Sequence, residues 1–300
     1  MKTILVTGAS GLIGKSLIDL LLAEGHKVKT IGRSSKSDER FQSFVWNYKE
    51  DYIEEGALDG VDVIIHLAGA NISSGRWTPQ RKKEIVDSRV ETTQLLFRKV
   101  KEQNLPIKSF ISASAIGYYG AVTNEFIYSE EDAPHTDFIA DVCVKWEQAA
   151  KRFEEIGIST TILRTGVVFS ETGSALQKLT LPIKYGVGSP IGSGKQYMPW
   201  IHIEDLCEMY LGAVDNKIKG IYNAVAPNHA TNKDVVKTAA RVMRRPCFMP
   251  NVPTGLMRTI FGEMSAILLE GSRVSAQKIE NSGYTFNFPK LESALEDLLK

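Results

Sequence analysis

The chain has 300 residues, enough for one large domain or two small ones with a full hydrophobic core, and too many for a miniprotein held together by disulfides. Its 36 Lys and Arg stand against 35 Asp and Glu, a formal charge of +1, so no overall field draws it to nucleic acid or to an anionic membrane. With 43% hydrophobic and 24% charged residues it has an ordinary globular composition, and its three scattered cysteines, Cys143, Cys207 and Cys247, suit neither a disulfide framework nor a metal site.

After Met1 and Lys2 the sequence enters an apolar strand, 3–6, without the basic region and long apolar run of a secretory signal, so a cytoplasmic protein is expected. A helix follows from Leu12, with Leu17, Leu20 and Leu21 at helical spacing until Gly25 stops it. Strands are expected at 27–31, 61–67, 107–112 and 159–163, with amphipathic helices at 92–103 and 139–156. Nearly continuous apolar strands alternating with helices predict an α/β fold, a Rossmann-type doubly wound parallel sheet. Past Arg164 glycines crowd 173–194 and prolines 246–253, while 203–216 reads as a helix and 220–224 as a strand returning to the sheet. The expected organisation is a nucleotide-binding domain over 1–170, rejoined by 196–227, with a small discontinuous α+β substrate domain from 171–195 and 228–300. The most apolar C-terminal stretch, 256–269, carries Arg258 and Glu263, so no membrane span is expected.

Between the first strand and first helix lies Thr7-Gly8-Ala9-Ser10-Gly11-Leu12-Ile13-Gly14. Glycines there let the backbone turn tightly and approach a diphosphate, and the helix start offers free N–H groups. Gly8, Ser10, Gly11, Leu12, Ile13 and Gly14 are therefore candidate dinucleotide contacts. The second strand ends in Gly32-Arg33-Ser34-Ser35-Lys36 with no acid to accept a ribose hydroxyl; Arg33 and Ser34 suit a 2′-phosphate, which favours NADP(H) over NAD(H). The small residues of Leu67-Ala68-Gly69 let another strand end lie beside the adenosine, and His66 before them reads as structural.

The glycine run, His66-Leu67-Ala68-Gly69, Ser112-Ala113-Ser114 with Tyr118-Tyr119-Gly120, and Trp200-Ile201-His202-Ile203-Glu204-Asp205 resemble the extended short-chain dehydrogenase/reductase superfamily. Arg164-Thr165-Gly166-Val167-Val168, Gly192-Ser193-Gly194-Lys195-Gln196 and Gly283-Tyr284-Thr285-Phe286 are similar to its atypical, epimerase-like branch, which has a C-terminal domain of unknown function. The resemblance implies NADP(H) binding, with Ser112, Lys145 and Val167 added to the cofactor contacts. It also places Arg89, at a helix start near Asp87-Ser88, where typical members carry a structural asparagine; an arginine there can reach the dinucleotide.

Typical members use Y-x-x-x-K on one helix to exchange a proton and hold the nicotinamide ribose. No tyrosine here has a lysine four residues later; the matching helix reads Asp141-Val142-Cys143-Val144-Lys145, with Asp141 in the tyrosine place. The candidate catalytic set is Ser114, Lys145, Tyr118, Tyr119 and Asp141. It predicts hydride transfer to an unidentified small carbonyl, hydroxyl or nucleotide-sugar substrate; the alternative is a non-catalytic NADP(H)-binding sensor or scaffold. Lys178, Lys184, Lys195 and Arg273 would contact a phosphorylated substrate, Trp77 and Trp200 could stack on a ring, and the protein is expected as a monomer or homodimer.

Overall fold

A computed structural model describes residues 1–35 and 38–300. Lys36, assigned above to the cofactor loop, lies outside the described residues. The chain begins with β1 (Thr3–Thr7), α1 (Leu12–Ala23), β2 (Lys27–Gly32), β3 (Gln42–Asn47), β4 (Tyr52–Ile53), β5 (Val63–His66) and α2 (Pro79–Glu102). It continues through β6 (Ser109–Ala115), a tight turn over 116–119, β7 (Ile127–Tyr128), α3 (Phe138–Lys151) and β8 (Ser159–Thr165).

These elements, with a later strand β11, form an eight-stranded sheet in the order β11, β8, β6, β5, β1, β2, β3, β4, parallel except for β4, which runs against β3. In β1 the side chains alternate: Ile4 and Val6 join the cluster containing Leu17 and Leu21 of α1, while Leu5 joins the one containing Leu95 and Leu96 of α2 and Phe110. Both faces are thus covered, which is why this strand reads as an unbroken apolar run. The order reverses at β1, flanked by β2 on one side and β5 on the other. That switch point places a crevice at the carboxyl ends of these strands, directly above the glycine run.

Several elements depart from the sequence expectation. β3 and β4 were not expected, because β3 offers only Phe44, Val45 and Trp46 between polar Gln42, Ser43 and Asn47. α2 starts at Pro79, well before 92 and before Asp87, with Thr78 accepting the N–H of Arg81 as its cap. Its first turns are rich in charge and mostly face solvent, so they carry no apolar period; the predicted segment was only the half that packs on the sheet.

Beyond β8 come β9 (Val167–Phe169), α4 (Ala175–Lys184), β10 (Trp200–His202), which pairs in parallel with β9, α5 (Ile203–Val214) and β11 (Gly220–Ala224). β11 pairs with β8 at the sheet edge. The chain ends with α6 (Asn232–Val242), α7 (Thr254–Phe261), α8 (Ala266–Leu269), β12 (Arg273–Val274), α9 (Gln277–Asn281) and α10 (Leu291–Leu299). Phe169, Leu176, Trp200, Val235 and Leu295 meet in one core that joins β9, α4, α6 and α10. Asp205, fully buried at the start of α5, accepts the N–H groups of Asn287 and Phe288 and so holds the C-terminal segment. Among the described residues no helix is long and apolar enough to cross a membrane.

Candidate functional site

Gly8 has φ +69, and a Cβ on it would stand 2.8 Å from the carbonyl carbon of Leu67. A Cβ on Gly14 would stand 2.5 Å from the oxygen of Gly8. These two glycines are therefore required by close backbone approach: β1, the loop and α1 close around one another. α1 starts after Gly11 with no side-chain cap and no acid in its first turn, leaving its leading N–H groups and the positive end of its dipole open.

The loop rests on a buried relay. Thr7 Oγ1 accepts the N–H groups of Leu67 and Ala68, both at 3.0 Å, so its hydroxyl donates to His66 Nδ1 at 2.9 Å. The proton of the ring then sits on Nε2 and points at Thr92 Oγ1, 3.3 Å away, whose hydroxyl donates to Ser88 O. Burial holds the His66 pKa down at about 3, so the ring is neutral and structural, as its place in an apolar strand predicted.

A crevice of about 380 Å³ opens beside the loop, lined by Gly8, Ser10, Arg33, Ala68 and Gly69 of the predicted set. Leu67 backs Gly8, and Ser34 is exposed just past β2. Leu12 and Ile13 are half-buried at the start of α1. Ser112 is buried, its hydroxyl donating to Ala113 O, and Val167 is held in β9 by a bond to Pro199 O. Sequence reasoning missed Trp46 and Tyr48 at the end of β3, and Arg81 and Glu84 in the first turns of α2, all of which line the crevice. Their signal was hidden with the elements that carry them.

Arg89, in the middle of α2, stands behind Gly69, a residue of the crevice wall, and does not itself line the crevice. Its guanidinium lies against Gly69, where an added Cβ would come within 3.0 Å of Cζ, and 5.1 Å from the ring centroid of Trp146 on α3. It donates to Ile85 O and pairs with no carboxylate among the described residues. Burial pulls its pKa down to about 10, the mark of a cation short of compensating charge.

The catalytic candidates fall into two groups. Ser114 donates to Glu147 Oε1 at 2.8 Å; Glu147 in turn binds Arg164 through both oxygens, at 2.8 and 2.9 Å. Arg164 Nη1 donates to Tyr119 Oη, which donates to Asn223 Oδ1. All five side chains are buried, burial pushes the Tyr119 phenol up to about 12, and its hydroxyl is held between Arg164 and Asn223. Tyr118 stays partly exposed, with the Arg164 guanidinium 3.4 Å from its ring centroid. Glu147, Arg164 and Asn223 were not anticipated. The signal was present in two opposite charges, one in the apolar row of α3 and one in an apolar strand, because such positions are tolerated only when paired.

Asp141 and Lys145 are not brought to Ser114. They form an ion pair of 2.7 Å on the outer face of α3, with about half of each side chain exposed. The row of α3 that looks inward is Ile139, Cys143 and Glu147, also spaced by one turn. Ile139 packs so tightly on Gly117 that a Cβ there would come within 2.3 Å of it. The row packed on the turn after Ser114 thus presents Ile139 and Cys143, and burial raises the Cys143 thiol to about 12. Arg89 of α2 lies close enough to Cys143 to pull its thiol down against that burial.

The predicted phosphate contacts Lys178, Lys184 and Lys195 point to solvent, and Arg273 donates to His229. Trp200 is fully buried and stacked with Phe169, whereas Trp77 borders a separate pocket.

Comparison with known proteins agrees with this geometry. The NAD dependent epimerase/dehydratase family matches residues 4–224, and a domain of unknown function, DUF1731, matches residues 252–298. The epimerase family protein SDR39U1 of Mus musculus is 35% identical over 303 residues, covering 99% of both chains. The epimerase family protein YfhF of Bacillus subtilis is 35% identical over 298 residues, covering 99% of this chain and 97% of its own. A crystal structure of human SDR39U1 (isoform2) with NADPH superposes with a TM-score of 0.89 at 33% identity, covering 99% of each chain.

Proposed function

Because the chain belongs to the NAD dependent epimerase/dehydratase family, we infer that it binds NADP(H) in the crevice above β1 and does so without the tyrosine–lysine proton relay of typical members. Arg89 carries this reading: a half-buried cation with no carboxylate partner among the described residues, set against Gly69, which lines the same crevice as Gly8 and Ser10, suits an anion. Gly8, Ser10, Gly11, Leu12 and Ile13 would hold the diphosphate, Arg33 and Ser34 a 2′-phosphate, and Ala68, Gly69 and Arg89 the ribose and phosphate between. The relative crystallised with NADPH supports the choice of dinucleotide. When bound, the dinucleotide supplies hydride exchange at the nicotinamide C4. Ile139 and a fully buried, neutral Cys143 do not reproduce a tyrosine–lysine pair, which favours a protein that senses or stores the cofactor. A cytoplasmic setting belongs to the same reading, supported by three unpaired cysteines.

Partly exposed Tyr118 favours a second reading, in which it supplies the proton for hydride transfer to a small carbonyl compound. Fluorescence titration tests the first claim: NADPH should bind at least about 10-fold more tightly than NADH, roughly 1.4 kcal/mol, and Arg33→Ala should remove most of that difference. Equal affinities would sink the role of Arg33. Deuteride transfer from labelled NADPH to any of a panel of aldehydes and ketones, lost in Tyr118→Phe, would select the second reading.

A further inference from the structure

A second pocket, of about 490 Å³, lies between the start of α3, the chain just after Gly120, and the turn joining α7 to α8. Its size suits a small-molecule ligand. Trp77, Ile139 and Leu269 on its wall are buried, and the Phe138 ring meets Trp77 edge-on at 5.2 Å. Trp77 Nε1 already donates to Ile72 O, so the indole offers the pocket only carbon. Ile139 has a double place, since its other side packs on Gly117 below Ser114. The pocket therefore shares the Ile139 side chain with the turn that follows Ser114.

Its polar groups are at the rim and mostly acidic. Asp137 accepts the N–H groups of Ala140 and Ala121, Glu270 accepts from Thr123, and Glu263 pairs with Lys82. Arg258 on the wall and Lys82 at Glu263 oppose these three carboxylates, which leaves one negative charge in excess. A diphosphate would meet net repulsion there, and an apolar wall offers no hydrogen bonds to a sugar or a base.

We propose that this pocket binds a neutral, predominantly apolar small molecule of one or two rings, and not a nucleotide-linked sugar. Its ligand class does not rest on the NADP(H) reading. The test is calorimetric titration of the full chain with naphthol and with UDP-glucose, with and without NADPH. Naphthol should bind saturably at one site in the wild type. Ala266→Phe and Ala121→Leu, which narrow the pocket, should each weaken it by about 10-fold or more, with the melting curve and NADPH affinity kept. The proposal is overturned if naphthol shows no saturable binding, if both folded variants bind it undiminished, or if UDP-glucose displaces it. If naphthol behaves as expected but NADPH does not bind the wild type, the pocket stands and the cofactor reading falls.

Discussion

His66 has a partner on each ring nitrogen and no contact with solvent, and that arrangement fixes a pH dependence. Folded, it resists protonation down to about 3; unfolded, it takes a proton near 6.5. Its contribution to stability is whole above pH 6.5 and is lost as pH falls from there toward 3, at up to about 1.4 kcal/mol per unit. His202 is shifted the same way by burial. Urea unfolding at pH 7.5 and at 4.5, a window above the titration of most carboxylates, should show a loss of about 2–3 kcal/mol, smaller in His66→Asn. An unchanged slope in that variant would assign the loss elsewhere. Residue by residue, side chains were legible where the backbone dictates them, as at Gly8 and Gly14. They were not where spacing alone had to choose a helix face: Asp141 and Lys145 share the spacing of Ile139 and Cys143, and only the sheet beneath decides which pair turns inward.

At the level of elements, β1, the glycine loop and α1 were readable because apolar runs, turn and helix stop all agree. β3 was not, since it is held by pairing with β2, which leaves no trace in its own composition. The loop gives a direct comparison of two glycines. Gly14→Ala would press a Cβ onto the Gly8 oxygen and the Ala9 backbone, at 2.5 and 2.8 Å, so the loop must shift. NADPH affinity should fall by about 10-fold or more, along with some stability. Gly212 lies in α5 with nothing within 4 Å of an added Cβ, and Gly212→Ala should leave NADPH binding alone and raise stability by about 0.5–1 kcal/mol. Equal effects of the two substitutions on binding would remove the loop from the site.

Taken as one molecule, the protein should be stabilised by its cofactor through mass action: NADPH at about 100 times its Kd adds about 2.7 kcal/mol, visible as a higher melting midpoint in a single transition. Two separate transitions, only one of them moved by NADPH, would show that the parts melt independently. A single transition is expected because of Asn223. Its side chain accepts from Tyr119 and donates to Ser275 O, while its backbone N–H donates to Glu130, so one buried residue ties β11 to the turn after β6 and to the chain beyond β12. Those bonds cross between the two halves, so opening a hinge there would break buried hydrogen bonds. Unlike enzymes that clamp down on a ligand by domain closure, this protein is therefore expected to admit and release what it binds mainly by rearranging surface loops.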